Sequence, residues 1–187
     1  MEQNFQQHRD EIESQAKESY CKLVYTYTTH LKCADIIRNQ SNVLKWALII
    51  VSAISVCGLL GVILEWNTKV LSISTAVLTT LDLVLSTYMK SANLDNQIIS
   101  HRETANQLWN IREQYISFLT DLPHMEISQA IKTRDKLTDK VSAVYANAPF
   151  TNKKSYRKAQ IALQNKEEQF FSEEERNHLL PPHLRSR

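Results

Sequence analysis

Two apolar runs of membrane-spanning length, only a few residues apart, constrain this chain more than anything else in it. The first, WALIIVSAISVCGLLGVIL at residues 46–64, carries no charge. After the loop EWNTK comes VLSISTAVLTTLDLVLSTYM at residues 70–89, interrupted only by Asp82. A helix needs about 20 apolar residues to cross the hydrocarbon core, and a chain in lipid must satisfy its backbone groups internally, as a helix does. Two neighbouring runs of this length are hard to explain as soluble core helices. The expectation is a two-span hairpin: first span at 45–65, outer loop at 66–69, second span at 70–89. Trp46 and Trp66 bracket the first run and Tyr88 closes the second, where interfacial aromatics sit. The mean hydropathy of -0.35 conceals both runs by averaging them with very polar arms.

Basic residues near the span ends set the orientation. Arg38, Lys45 and Lys90 flank the open side of the hairpin, whereas the connecting loop offers only Lys69. Positive-inside counting puts both termini in the cytoplasm. Three cysteines, Cys21, Cys33 and Cys57, do not make the even framework of a secreted disulfide domain and fit a reducing compartment. The polar, acidic opening MEQNFQQHRDEIESQAKESY is not a signal peptide. A net charge of +2 lacks the basic excess of a dedicated nucleic-acid binder, so direct DNA binding is not expected.

Glycine and proline are absent from residues 1–56 and 62–122, which predicts long helices continuing each span into the cytoplasm. The arm at 1–44 carries a heptad-like stripe that includes Ala16, Tyr20, Leu23, Tyr27, His30 and Ala34, extending to Ile37 and Leu44. The returning arm at 90–122 carries Leu94, Ile98, His101, Ala105, Leu108 and Arg112, then Tyr115, Leu119 and Leu122. Such stripes need partners, and the hairpin makes the arms antiparallel neighbours. The second span and its arm read as one helix from about residue 69 to 122. Folding the sequence about Asn67 sets Lys45 opposite Met89 and Lys90, Asp82 level with Ser52, and His30 near Thr104. Facing histidines sense pH in some proteins; more often they are polar breaks in an ordinary seam.

Pro123 ends the long arm, and residues 123–187 read as short cytoplasmic helices. Residues 125–148 form an amphipathic helix with Ile127, Ile131, Leu137, Val141 and Val144 inward, ended by Pro149. SYRKAQIALQNKEE reads as a second helix with Tyr156, Ala159, Ile161 and Leu163 for packing. Ser172 and Glu175 in FSEEERNHLL make a capping box for a last short helix. The fold class is therefore an all-α membrane protein: a two-span hairpin, long cytoplasmic helical extensions and short C-terminal helices, forming one domain over 1–187.

Asp82 is the candidate residue of the spans, because an ionisable group at membrane depth is costly and a functional candidate by default; the alternative is an acid near one interface that merely snorkels or pairs. Thr79, Ser86 and Thr87 share its face at helical spacing, making these four the candidate pore or helix interface. At about 1.5 Å per residue, Asp82 lies about 12 Å from Lys90, in the cytoplasmic half. Small residues form two further stripes, Ala53, Cys57 and Gly61 in the first span and Ser72, Ala76 and Thr80 in the second. Such seams let helices approach closely in lipid, either closing one hairpin or joining copies.

No chemistry-bearing motif accompanies these features. There is no phosphate loop, nucleophile elbow or HExxH. His30 and Cys33 give only half of a zinc site. The chain is expected not to be an enzyme and to need no metal or cofactor. Basic groups cluster at Lys132, Arg134, Lys136 and Lys140, and again at Lys153, Lys154, Arg157 and Lys158. The second cluster is a candidate patch for an anionic headgroup, a nucleotide signal or a partner; a solvated face is the alternative.

The layout resembles the SLATT family. The likeness lies in the N-terminal arm, the hairpin, the returning helix STYMKSANLDNQIISHRETANQLWNIREQY with Ser91, Ala92, His101 and Tyr115, and the closing segment KAQIALQNKEEQFFSEEERNHLLPPHLR. The resemblance implies a bacterial inner-membrane effector of an antiphage conflict system. Such effectors accompany nucleotide-second-messenger synthases, SLOG-type nucleotide sensors or reverse transcriptases, and are thought to oligomerise into pores or otherwise damage the membrane once infection is sensed. The expected function is therefore a homo-oligomeric pore-forming or membrane-disrupting effector released by an upstream partner. A non-conducting two-span anchor that docks a cytoplasmic partner is the other reading.

Overall fold

Without glycine or proline before Gly58, α1 forms without a break over Glu2–Ile63. It is followed by α2 (Thr68–Ala92), α3 (Leu94–Asp121), α4 (Ile127–Asn147), α5 (Lys153–Gln164) and α6 (Glu173–Leu179). Short 3₁₀ turns occupy Leu122–His124 and Pro182–Leu184. The structure, a computed structural model, describes residues 2–63, 68–166, 168–169 and 171–185. Among these there is no strand, and the fold is all-α with a two-helix hairpin, as expected. Trp66 and Asn67 of the anticipated outer loop lie outside the described residues, and its other two positions, Thr68 and Lys69, already belong to α2.

One expectation is corrected. The second span and its arm are two helices, not one, because Asn93 adopts φ 48° between α2 and α3. Asparagine is among the few non-glycine residues that visit the left-handed region readily. Gln97 Nε2 donates to the Ala92 carbonyl at 2.8 Å, satisfying an acceptor freed by the break.

The chain divides into two compact units. One comprises Met1–Lys32 with Thr104–Arg187. Its core joins Ile12, Ala16 and Leu23 of α1 to Leu108, Ile111, Tyr115 and Phe118 of α3, with Ala130 and Leu137 of α4 completing the bundle. The seven-residue stripe on α3 widens here to a face, because α3 packs on both α1 and α4. Arg112, a charged position in that stripe, lays its guanidinium over the Tyr20 ring at 5.7 Å and pairs with Glu113 at 2.6 Å. Where Pro123 ends the helical run, Arg9 donates to the carbonyls of Leu122, Pro123 and Met125, so the turn's acceptors are satisfied from α1.

In the same unit, α5 begins at a capping box in which Asn152 accepts from Ser155 N at 2.9 Å. It turns Ser155, Ala159, Ala162 and Leu163 inward. Tyr156 stacks on Tyr25 at 6.1 Å, and Gln164 donates to the Tyr25 hydroxyl at 2.7 Å. Lys32 pairs with Glu168 at 2.7 Å. Ile161, read from sequence as a packing residue, is exposed instead, since the small residues let α5 approach closely on the other face. The Ser172–Glu175 capping box opens α6, which buries none of its residues.

The other unit, Cys33–Glu103, contains the hairpin. Ser41, Leu44, Leu48, Val51, Ser55 and Gly58 of α1 are buried or half-buried. So are Leu71, Thr75, Leu78, Asp82, Leu85 and Met89 of α2. The alternating steps of three and four are those of antiparallel helices packed at a shallow left-handed angle. Large apolar side chains on the opposite faces, among them Ile50, Ile54, Leu59, Ile73 and Leu83, stay exposed.

Candidate functional site

Asp82 stands within the hairpin seam, half-buried. Ser52 Oγ donates to Asp82 Oδ1 at 2.6 Å, which pairs the two residues that a fold about Asn67 sets level. Two antiparallel arms of equal rise per residue make that pairing a matter of counting. Among the described residues, Asp82 Oδ2 accepts no hydrogen bond.

Around Asp82 the hairpin opens into a groove of about 660 Å³ lined by Leu59, Ser72, Thr75, Ala76, Thr79 and Thr80, together with Leu83 and Ser86. It therefore gathers Thr79, Asp82 and Ser86 of the anticipated polar face and the whole small-residue stripe of the second span. Thr87 is exposed and lies off the groove. Most of the hydroxyls return their protons to their own helix: Thr79 Oγ1 to the Thr75 carbonyl at 2.8 Å, Thr80 Oγ1 to Ala76 at 2.9 Å and Ser86 Oγ to Leu83 at 3.0 Å. Such back-bonding lets hydroxyls sit at membrane depth without an external acceptor.

The small-residue stripe of the first span is split. Gly61 is buried, and a Cβ there would come within 3.2 Å of Leu71 Cδ1. Ala53 and Cys57 point to the exposed side, away from α2. The contact inside the hairpin runs instead through Ser52, Ser55 and Gly58, where a Cβ on Gly58 would fall 2.5 Å from Thr75 Oγ1. Thr75 and Gly58 are the site residues that stripe-reading missed. The signal was available in the step of seven from Thr75 to Asp82, which puts both on one seam.

At the hairpin's open side, Lys45 reaches Asp95 at 3.2 Å, and Ser41 donates to the same carboxylate at 3.4 Å. Lys45 thus extends past Met89 and Lys90, its sequence-level counterparts. In the bundle unit, Lys153, Lys154, Arg157 and Lys158 are all exposed on α5, and among the described residues none is in an ion pair. In the other basic cluster Arg134 is neutralised by Asp135 at 2.7 Å, while Lys140 donates to the uncharged Gln114 amide oxygen. His30 and His101 are both buried, at 2% and 4% exposure. Burial pushes the His101 pKa below the ordinary 6.5. Cys21, Cys33 and Cys57 are free thiols. Among the described residues, no group of three His, Cys, Asp or Glu side chains is placed to hold a metal ion.

Two helices carry windows of spanning length and apolarity, with mean hydropathies of 2.3 and 1.6 and no fully buried residue in either window. Apolar surface that extensive is covered by lipid, not water. The fold thus defines a two-span membrane protein whose helical hairpin carries one acid in its seam. The chain belongs to the SMODS and SLOG-associating 2TM effector domain family 4, whose model matches residues 12–175. Membership makes it a membrane effector domain of defence systems, in agreement with the resemblance read from its layout. No curated protein and no solved structure matches the chain.

Proposed function

We propose that several copies of this chain assemble in a bacterial inner membrane, with both termini cytoplasmic, and permeabilise it when an upstream sensing partner is triggered. The observation that carries this reading is the Asp82 groove. A carboxylate at the centre of a transmembrane helix costs about 2.5–3.5 kcal/mol on insertion scales, and less in the cytoplasmic half where Asp82 lies. A polar bond between membrane helices returns only about 0.6–2 kcal/mol, so the Ser52 hydroxyl alone does not offset that cost. Lipid is a poor cover for the remaining carboxylate oxygen, whereas water held between copies is a good one.

In such an assembly the groove face of α2 lines the lumen, with Thr79, Asp82 and Ser86 inward. Ala53 and Cys57, free of the hairpin contact, are available to neighbouring copies as small-residue contacts. A ring of Asp82 carboxylates favours cations. No side chain performs bond chemistry in this scheme; the work is done by opening a path through lipid. The partner that holds the effector in check is of the class the family description names, a SMODS-type second-messenger synthase or a SLOG-type nucleotide sensor; a reverse transcriptase, the third class of family associate, fits the same role.

The test is membrane potential in cells expressing the protein with its trigger, followed by a potential-sensitive dye. Wild type depolarises and Asp82→Leu does not, at equal membrane abundance. Unchanged depolarisation by Asp82→Leu removes the carboxylate from the mechanism. Absence of leakage from liposomes holding the triggered wild type leaves the chain as a two-span anchor.

A further inference from the structure

The bundle unit exposes two surfaces of contrasting charge, and among the described residues no hydrogen bond or ion pair joins them. The first is the outer face of α5. Helical spacing gathers Lys154, Arg157, Lys158 and Ile161 on the side opposite the buried Ser155, Ala159 and Leu163. Ile161 is 43% exposed at its centre, and α5 contains no acidic residue at all. Lysines at the first two helical positions also stand at the positive end of the helix dipole. Nothing within the described chain compensates them, so this face is set up to receive negative charge.

The second surface is α6. It has seven residues, begins at a complete capping box and buries nothing. Isolated helices below about 12–15 residues are marginal in water, and α6, with only Asn177 half-buried, leaves Phe171 and Leu179 open to a further surface. Its first turn carries Glu173, Glu174 and Glu175, of which Glu173 pairs loosely with Arg176 at 3.9 Å and Glu175 closes the capping box. Phe171 and Leu179, 62% and 69% exposed, form the apolar walls of an open cleft whose rim includes Glu174 and Arg185. One surface is an apolar centre with a basic rim, and the other is an apolar cleft with Glu174 and Glu175 beside His178 and Arg185 on its rim, next to the acidic first turn of α6.

We propose that α6 of one copy docks across the outer face of α5 of a second copy, Ile161 entering between Phe171 and Leu179 while Arg157 and Lys158 meet Glu173 and Glu174. Because donor and acceptor surfaces differ, the contact is heterologous and propagates from copy to copy, closing into a ring or running open according to its rotation. This deepens the assembly reading above by naming a contact outside the membrane. Its readout is contact between chains rather than leakage, so each can fail alone.

The experiment uses full-length chains in nanodiscs with Cys21, Cys33 and Cys57 replaced by Ala. Ile161→Cys and Leu179→Cys are placed on separate chains, which are mixed and oxidised. A disulfide-linked pair forms between the two chains. Reversing Arg157→Glu and Lys158→Glu on the first chain lowers its yield about tenfold, since rim attractions become repulsions. Adding Glu173→Lys and Glu174→Lys to the second chain restores it, which also shows that the reversed chain is folded. Any of three results overturns the proposal: no interchain product, a product indifferent to the reversals, or a loss that the compensating pair fails to restore. A yield that depends on anionic lipid in the nanodisc and not on the Glu173 and Glu174 charges assigns the α5 face to headgroups instead.

Discussion

Gly58 decides how closely the two spans approach. A Cβ there meets Thr75 Oγ1 at 2.5 Å, a distance that demands movement. The Thr75 hydroxyl is buried and makes no hydrogen bond among the described residues, so it is the atom that must yield. Gly58→Ile is expected to force the hairpin apart and cost about 1–3 kcal/mol, the usual price of overpacking. Gly58→Ala combined with Thr75→Ala stays close to wild type. Thermal unfolding in detergent distinguishes the two, and equal melting temperatures would contradict the assigned contact. Asp82 and Ser52 show how much of a residue pair can be counted from sequence: equal rise on two arms sets their level. Which side of each helix carries the contact cannot be counted that way. Ala53 and Cys57 match the small-residue spacing as well as Ser55 and Gly58 do, yet only the latter pair faces α2.

At the scale of an element, helix length follows from the absence of breakers, and α1 is uninterrupted for that reason. Pro123 and Pro149 mark helix ends that any reading finds, because a missing amide proton ends the hydrogen-bond ladder. Asn93 is harder to find, since asparagine is tolerated inside helices and at their ends alike. Its φ of 48° makes a specific prediction. Asn93→Gly leaves the fold at least as stable, whereas Asn93→Val costs about 1–2 kcal/mol, the penalty of a side chain in the left-handed region. Circular dichroism melts of the two variants check this. Should Asn93→Val melt with wild type, α2 and α3 are continuous after all. The rotation of α5 was similarly open. Ser155 is polar in sequence but buried in fact, because its hydroxyl donates to the Asn152 carbonyl at 2.7 Å and so carries no unsatisfied group inward.

For the molecule as a whole, stability depends on pH through one of its buried histidines, His101. Burial lowers the His101 pKa, so the folded chain binds a proton less readily than the unfolded one. Stability from this source is complete above the ordinary value near 6.5 and declines as pH falls below it towards the folded value. Melting temperature should fall with pH in that window, and His101→Gln should flatten the slope there; an unchanged slope assigns it to other groups. By itself the sequence determined the two spans, the helical arms apart from their break at Asn93, the helix ends at Pro123 and Pro149, and the family. Those follow from quantities that add along a chain: apolar length against bilayer thickness, backbone hydrogen bonds, and heptad steps. Tertiary structure alone decided which faces meet: Gly58 against Thr75, Ile161 outward, and one carboxylate oxygen of Asp82 held by Ser52. Several faces of one helix satisfy the same spacing, and the choice among them falls to the volumes and polar partners of the neighbouring helix.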